Sequence, residues 1–169
     1  LVQYAHYHRD RRNIATHFIG IPMIVFGIGV LLARATFELG GITWTAGWAA
    51  GGLATLWWLT RGRLDLGLAT SAVTLGLVAL AHEVAGSPLA EWLGWGLGFF
   101  VVGWVLQFIG HHYEGRKPAF VDDLVGLLVG PMFVMAEALF AVGWGRGLRE
   151  EIERQAGPTH TRQFARPAA

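Results

Sequence analysis

The chain has 169 residues, 53% of them hydrophobic and 15% charged, with a net charge of +1 and no cysteine. So few charges exclude an ordinary soluble domain, where about a quarter of residues are charged, and a near-neutral balance without a basic stripe excludes nucleic-acid binding. The absence of cysteine excludes disulfides and thiolate metal sites.

The pattern that remains is that of a membrane protein. Eight Trp and 24 Gly suit interfacial anchors and close helix approach. Lys117 is the one lysine among 13 basic residues, a bias that suggests a GC-rich bacterial genome. The first apolar stretch is too long for a secretory signal peptide.

A bilayer needs about 20 apolar residues per helix. Four segments meet that length: Ile14–Ala33, Ile42–Thr60, Asp65–Ala85 and Leu89–Ile109. Their short connections, Arg34–Gly41, Arg61–Leu64 and Gly86–Pro88, predict antiparallel neighbours in one bundle. A fifth stretch, Phe120–Trp144, carries Asp122 and Asp123 in its first turn, Gly130-Pro131 in its middle and Glu137 beyond. It reads as a kinked span or as two half-helices that enter and return, a form tolerated where protein covers the broken backbone. The expected fold class is therefore all-α: a polytopic membrane helix bundle with four spans and a Pro-interrupted fifth segment. Residues 1–145 form its single domain; Arg146–Gln155 reads as a surface helix and Gly157–Ala169 as a mobile tail.

Charge placement orients the bundle. Arg9, Arg11 and Arg12 precede the first span, Arg61 and Arg63 join the second to the third, and Arg116 and Lys117 follow the fourth. The positive-inside rule puts all three groups in the cytoplasm. Arg146, Arg149 and Arg154 then favour the re-entrant reading of the fifth stretch, because a full crossing would place them outside. The expected location is a bacterial inner membrane.

This topology brings two polar clusters to one face. His8, Asn13 and His17 start the first span; Gln107, His111, His112 and Glu114 end the fourth. Asn13 and His17 are four apart, as are Gln107 and His111, so each pair shares a helix face. Together they could enclose one site. Imidazole nitrogen suits Fe, Zn, Cu or Ni, and Asn13, Gln107, Glu114 and Glu137 are candidates to orient the rings. The plainer alternative is that interfacial histidines simply hydrogen-bond near headgroups, with Glu137 in a salt bridge to an Arg of the N-terminal run or to Arg116. The basic rim of Arg9, Arg11, Arg12, Arg116 and Lys117 serves orientation, or captures an acidic headgroup at the mouth of the site. His6 lies too far from the span to be a strong ligand, His82 is expected to pair with Glu83, and His160 falls in the tail. Trp57, Trp58, Trp92 and Trp95 read as interfacial belts. Gly47–Gly51 and Gly126–Gly130 are weak small-xxx-small patterns.

Three patches carry a family resemblance: His8-Arg-Asp-Arg-Arg-Asn13 through His17 to Pro22, Gln107-Phe-Ile-Gly-His111 through Glu114 to Ala119, and Pro131-Met-Phe133 with Glu137. Together they resemble the fungal endoplasmic-reticulum 2-hydroxy fatty acid dioxygenase family and its bacterial homologues. The resemblance implies an Fe(II)-dependent enzyme that uses O2 to shorten a 2-hydroxy long-chain fatty acid by one carbon. It puts His8, His17 and His111 at the essential histidine positions, with His112 an added metal candidate. Arg12, Arg116 and Lys117 would receive the substrate carboxylate. The partners expected are the fatty acid and the lipid bilayer; an oligomer is possible. Two other classes compete: a membrane electron carrier with haem between His17 and His111, and a non-enzymatic scaffold with a structural metal.

Overall fold

The structure is a computed structural model that describes residues 1–61, 63–118 and 124–164. In chain order it runs α1 (Val2–Ala5), α2 (Arg11–Leu32), β1 (Thr36–Leu39), β2 (Ile42–Thr45), α3 (Ala46–Leu59), α4 (Leu64–Glu83), α5 (Leu89–Glu114), α6 (Gly126–Ala141) and α7 (Arg146–Ala156). Helices α2, α4 and α5 are long and apolar enough to cross a membrane.

The second expected span is shorter than the sequence suggests. Its first four residues are β2, paired antiparallel with β1 in the register Thr36↔Thr45 and Leu39↔Ile42. Gly40 and Gly41 turn the hairpin with φ of +63° and +75°, the left-handed pair that a two-residue turn requires. The 14 residues of α3 rise about 21 Å, short of the roughly 30 Å hydrocarbon core. The Thr45 hydroxyl starts α3 by accepting the Trp48 N–H at 3.2 Å.

The fifth stretch also departs from expectation. Residues 119–123, Asp122 and Asp123 included, lie outside the described residues. From Gly126 the chain is one helix that passes through Pro131 unbroken. The break comes at residues 142–145, where Gly143 and Gly145 have φ of +86° and +70°, and α7 leaves at 117° to α6. Among the described residues the total reaches four if this bent pair counts as one span. Both ends of α6 are tied to the end of the bundle where α2 begins and α3 finishes. Buried Trp58 donates its indole N–H to the Leu128 carbonyl at 2.8 Å, so it is a core residue rather than part of an interfacial belt. At the other end, Glu137 meets Arg9 at 3.3 Å. Ala5, Ile14, Trp58, Leu66, Phe133, Phe140 and Ile152 pack into one cluster there.

The most extensive helix pair is α2 with α5. A glycine seam that the sequence reading overlooked explains their close approach. Gly96, Gly103 and Gly110 on α5 recur every seven residues, as do Gly20 and Gly27 on α2. The helices are antiparallel. A Cβ on Gly27 would lie 2.7 Å from the Gly96 carbonyl oxygen, and one on Gly20 would lie 2.8 Å from that of Gly103. No side chain fits between these backbones. A seven-residue period keeps one stripe facing the partner along the whole contact. This seam brings the end of α5 beside the start of α2.

The C-terminal segment, expected as a mobile tail, returns to the same end as far as residue 164. The His160 N–H donates to the Arg9 carbonyl at 2.9 Å, and the Arg11 N–H to the His160 carbonyl at 2.8 Å. The Arg162 N–H donates to the Asp10 carboxylate at 2.7 Å.

Candidate functional site

Gly115 ends α5. With φ of +71° it donates its N–H to the His111 carbonyl at 2.9 Å, a left-handed helix stop. Glu114 is thus the last helical residue, and its carboxylate faces the chain entering α2. It accepts the Arg9 N–H at 3.0 Å, the Asp10 N–H at 2.8 Å and the Asn13 side-chain amide at 3.0 Å. Asp10 in turn caps α2 by accepting the Arg12 N–H at 2.9 Å. The Arg12 guanidinium beside it holds the Asp10 carboxyl well below the usual carboxylate range.

This clamp sets His8 beside His17 and His111. All three are buried, and their ligand nitrogens lie within 4.8 Å of one another. His8 and His17 face each other with Nε2 atoms 3.0 Å apart. The ring centroids of His111 and these two are 4.8 and 5.1 Å apart. Each of the first pair turns Nδ1 to the carbonyl four residues earlier, His8 to Tyr4 at 2.8 Å and His17 to Asn13 at 2.9 Å.

The donor arithmetic then becomes informative. A carbonyl only accepts, so both Nδ1 atoms carry their protons, and both neutral rings present bare Nε2 lone pairs to each other. His82 supplies the contrast. Its Nδ1 also donates to a carbonyl four residues back, that of Val78 at 2.7 Å, but its Nε2 meets the Thr45 hydroxyl at 2.8 Å, a group able to donate. His82 is satisfied, by Thr45 rather than by the expected Glu83. His8 and His17 are not satisfied unless a cation lies between them. A lone proton suits the place poorly: burial, and then the neighbouring His17 and His111, hold the His8 pKa well below its ordinary value. A metal ion suits it better. Two nitrogens bound about 2.1 Å from one ion at a right angle are about 3 Å apart. The third ring, His111, has a buried Nδ1 without a hydrogen-bond partner; the Arg116 backbone lies near it, short of hydrogen-bond geometry.

The remaining expected residues divide into several groups. Asn13 supports His17 through its backbone carbonyl, while its side chain bridges the Tyr7 carbonyl and Glu114. Glu114 holds the Arg9 and Asp10 backbone and the Asn13 side-chain amide. Glu137 pairs with Arg9, one residue from His8, in the salt bridge weighed from the sequence. Gln107 is buried one helical turn before His111. His112 is exposed and stacks on Phe164 at 5.8 Å, apart from the three. Arg12 is committed to Asp10 and lies over Tyr113 at 4.5 Å. Arg116 donates to the His6 carbonyl at 3.0 Å. Lys117 is exposed.

Tyr4 and Phe133 also belong to the site; Tyr4 was not foreseen, and Phe133 stood in the sequence only within the Pro131-Met-Phe133 patch. The Tyr4 ring stacks on His8 at 4.1 Å and 6°, and Phe133 packs on both rings at 5.2 and 5.3 Å. Burial pushes the Tyr4 hydroxyl pKa up. For Tyr4 the four-residue spacing to His8 is the one signal the sequence offered.

From His17 and His111 a cavity of about 290 Å³ leads away between α2, α5 and α6. Its walls are mostly apolar, with Ile21, Ile24, Val25 and Ile28 on α2 and Phe100 and Trp104 on α5. Along α2 it extends from His17 to Ile28, about 16 Å.

Fold and site together define a helical protein with three or four helices long and apolar enough to cross a membrane, whose buried three-histidine cluster lies at one end of an apolar cavity. Residues 1–142 match the family model described as 2-hydroxy-palmitic acid dioxygenase Mpo1-like. The chain belongs to this family. It is similar to the 2-hydroxy-palmitic acid dioxygenase MPO1 of Saccharomyces cerevisiae, with 31% identity over 153 residues, 89% of this chain and 83% of the yeast protein. No solved structure matches the chain.

Proposed function

We propose that this protein is a membrane-embedded Fe(II)-dependent dioxygenase that shortens 2-hydroxy long-chain fatty acids by one carbon. The observation that carries the reading is the convergence of His8, His17 and His111 at the head of the apolar cavity. Family membership supports the substrate class and the use of O2. His8, His17 and His111 would hold the iron. When bound, the iron would supply Lewis acidity and O2 activation beside the C1–C2 bond.

The protein's own groups do the rest. The Tyr4 and Asn13 carbonyls fix the tautomers of His8 and His17, so that both Nε2 atoms are free to ligate. Glu114 fixes the backbone at Arg9 and Asp10. Tyr4 and Phe133 cover the centre and exclude water on one side. The wall from Ile21 to Ile28 takes the acyl chain. Pro118 lines the cavity next to Lys117, which suits Lys117 and Arg116 to draw the carboxylate to the mouth. Arg12 and His112 are given no part in the chemistry, because the first is bound to Asp10 and the second stands outside the cluster. The site faces the cytoplasm in this reading, as the charge pattern suggests.

The haem alternative fits less well. A macrocycle between His17 and His111 needs a flat slot between their rings, whereas His8 crowds both.

Elemental analysis of purified protein, paired with product analysis on 2-hydroxypalmitate in air, tests the proposal. About one iron per chain and a fatty acid one carbon shorter are expected. A Soret band, or iron with no turnover, would overturn it.

A further inference from the structure

The polar head of the cavity contains one group that nothing so far employs. Gln107 is 5% exposed, and its Nε2 is buried without a hydrogen-bond partner. Its side chain lines the cavity together with His17 and His111. It lies four residues before His111, about 6 Å along the same face of α5. Most of the surrounding wall is aliphatic or aromatic.

Buried amides are normally paired, because an orphaned donor has lost water and gained nothing. The seam does not need this one. A Cβ on Gly20 would come within 2.4 Å of Gln107 Nε2, so the amide fills the space that glycine leaves but forms no bond there. A half-turn of the terminal torsion exchanges Oε1 and Nε2, so the group can offer a donor or an acceptor to an occupant of the cavity.

We infer that Gln107 reads the 2-hydroxyl of the substrate and sets the preference for 2-hydroxy over unsubstituted fatty acids. This inference rests on the function proposed above. Both kinds of acid carry the carboxylate, which calls for cationic partners. Only one carries a neutral hydroxyl at C2, and a neutral amide in a dry site is its matching partner. The position also agrees. The head group has to lie by His17 and His111, and Gln107 is one turn further along the path of the chain. A site built around such a pair rejects the analogue that lacks the hydroxyl, because the amide is then left unpaired again. Gln107 is on this account a specificity-determining residue.

The test compares binding of 2-hydroxypalmitate and palmitate to detergent-purified protein, together with kcat and KM for 2-hydroxypalmitate and metal content. Wild type, Gln107→Met and Gln107→Asn are measured side by side. Methionine keeps the unbranched shape without the amide; asparagine keeps the amide but withdraws it. The preference for the 2-hydroxy acid is expected to fall at least tenfold in Gln107→Met. The loss lies in weaker binding and higher KM for 2-hydroxypalmitate, with palmitate binding and metal content unchanged. Gln107→Asn should fall between, and it decides the matter if Gln107→Met does not fold. An unchanged preference in a metal-loaded variant would overturn the role of Gln107 and leave the oxygenase reading standing. A wild-type protein that neither prefers nor turns over 2-hydroxypalmitate would overturn both.

Discussion

Glu114, the last residue of α5, accepts the backbone N–H of Asp10 at 2.8 Å across 104 residues of sequence. The same carboxylate takes the Arg9 N–H and the Asn13 amide. One side chain thereby fixes the loop that carries His8 to the helix that carries His111. The two motifs that dominate the sequence are joined by this clamp as well as by any shared ion.

Glu114→Ala should therefore damage the metal site without removing a ligand. It deprives two backbone N–H groups and one amide of their acceptor, a loss of about 2–4 kcal/mol after water recovers part of it. Thermal melts and iron content check this: a lower melting temperature and poor iron retention are expected, with Glu114→Gln between the variant and wild type. Full iron retention in Glu114→Ala would mean that the clamp does not support the centre.

The histidines should separate cleanly by position. His8→Ala and His17→Ala are expected to lose iron and at least 100-fold in turnover, as removal of a metal ligand does. His112→Ala and His82→Ala should keep both, because the first stacks outside the cluster and the second is satisfied by Thr45. Iron content and O2 uptake read the difference, and equal losses in all four would contradict the assignment.

The glycine seam predicts a sharp contrast along α5. A Cβ at Gly103 would lie 2.7 Å from Ile24 Cγ1 and 2.8 Å from the Gly20 carbonyl oxygen, whereas one at Gly98 meets nothing within 4 Å. Gly103→Ala should cost about 1–3 kcal/mol through overpacking. Gly98→Ala should be neutral or slightly stabilising, since alanine favours a helix over glycine. Melting of the two variants in the same detergent makes the comparison.

The acidity of His8 gives a pH prediction. Its pKa is lowered, so a proton competes for its nitrogen only well below the ordinary value of 6.5. Metal affinity falls when protons claim the ligands. Iron occupancy at limiting metal should therefore stay level as the pH falls from 7.5 to about 6 and drop only in more acid solution. An exposed histidine site would already be half protonated near pH 6.5. Occupancy that halves at that pH would contradict a buried centre.

Much of this site was legible in the sequence because charge and helical period act over short range. Arginine placement fixed which span ends meet, and the i,i+4 spacing put His17 beside Asn13 and His111 beside Gln107. Other features were hidden for physical reasons. Residues 36–45 alternate and carry a Gly-Gly turn, the pattern of a hairpin, but their apolar content merged with the next helix. The seam of Gly20, Gly27, Gly96, Gly103 and Gly110 shows a seven-residue period only when two distant segments are aligned. Tyr4 belongs to the site through stacking, which spacing alone does not reveal. The segment from Gly157 to Phe164 docks in part through backbone hydrogen bonds of His160 with Arg9 and Arg11, and these have no side-chain signature.

The most direct measurement is the rate of O2 uptake with 2-hydroxypalmitate by anaerobically Fe(II)-loaded His111→Ala against wild type. The three-histidine account predicts robust uptake by the wild-type protein and less than about 1% of it in the variant, with the variant still folded by thermal melt. Uptake in His111→Ala close to the wild-type rate would contradict it.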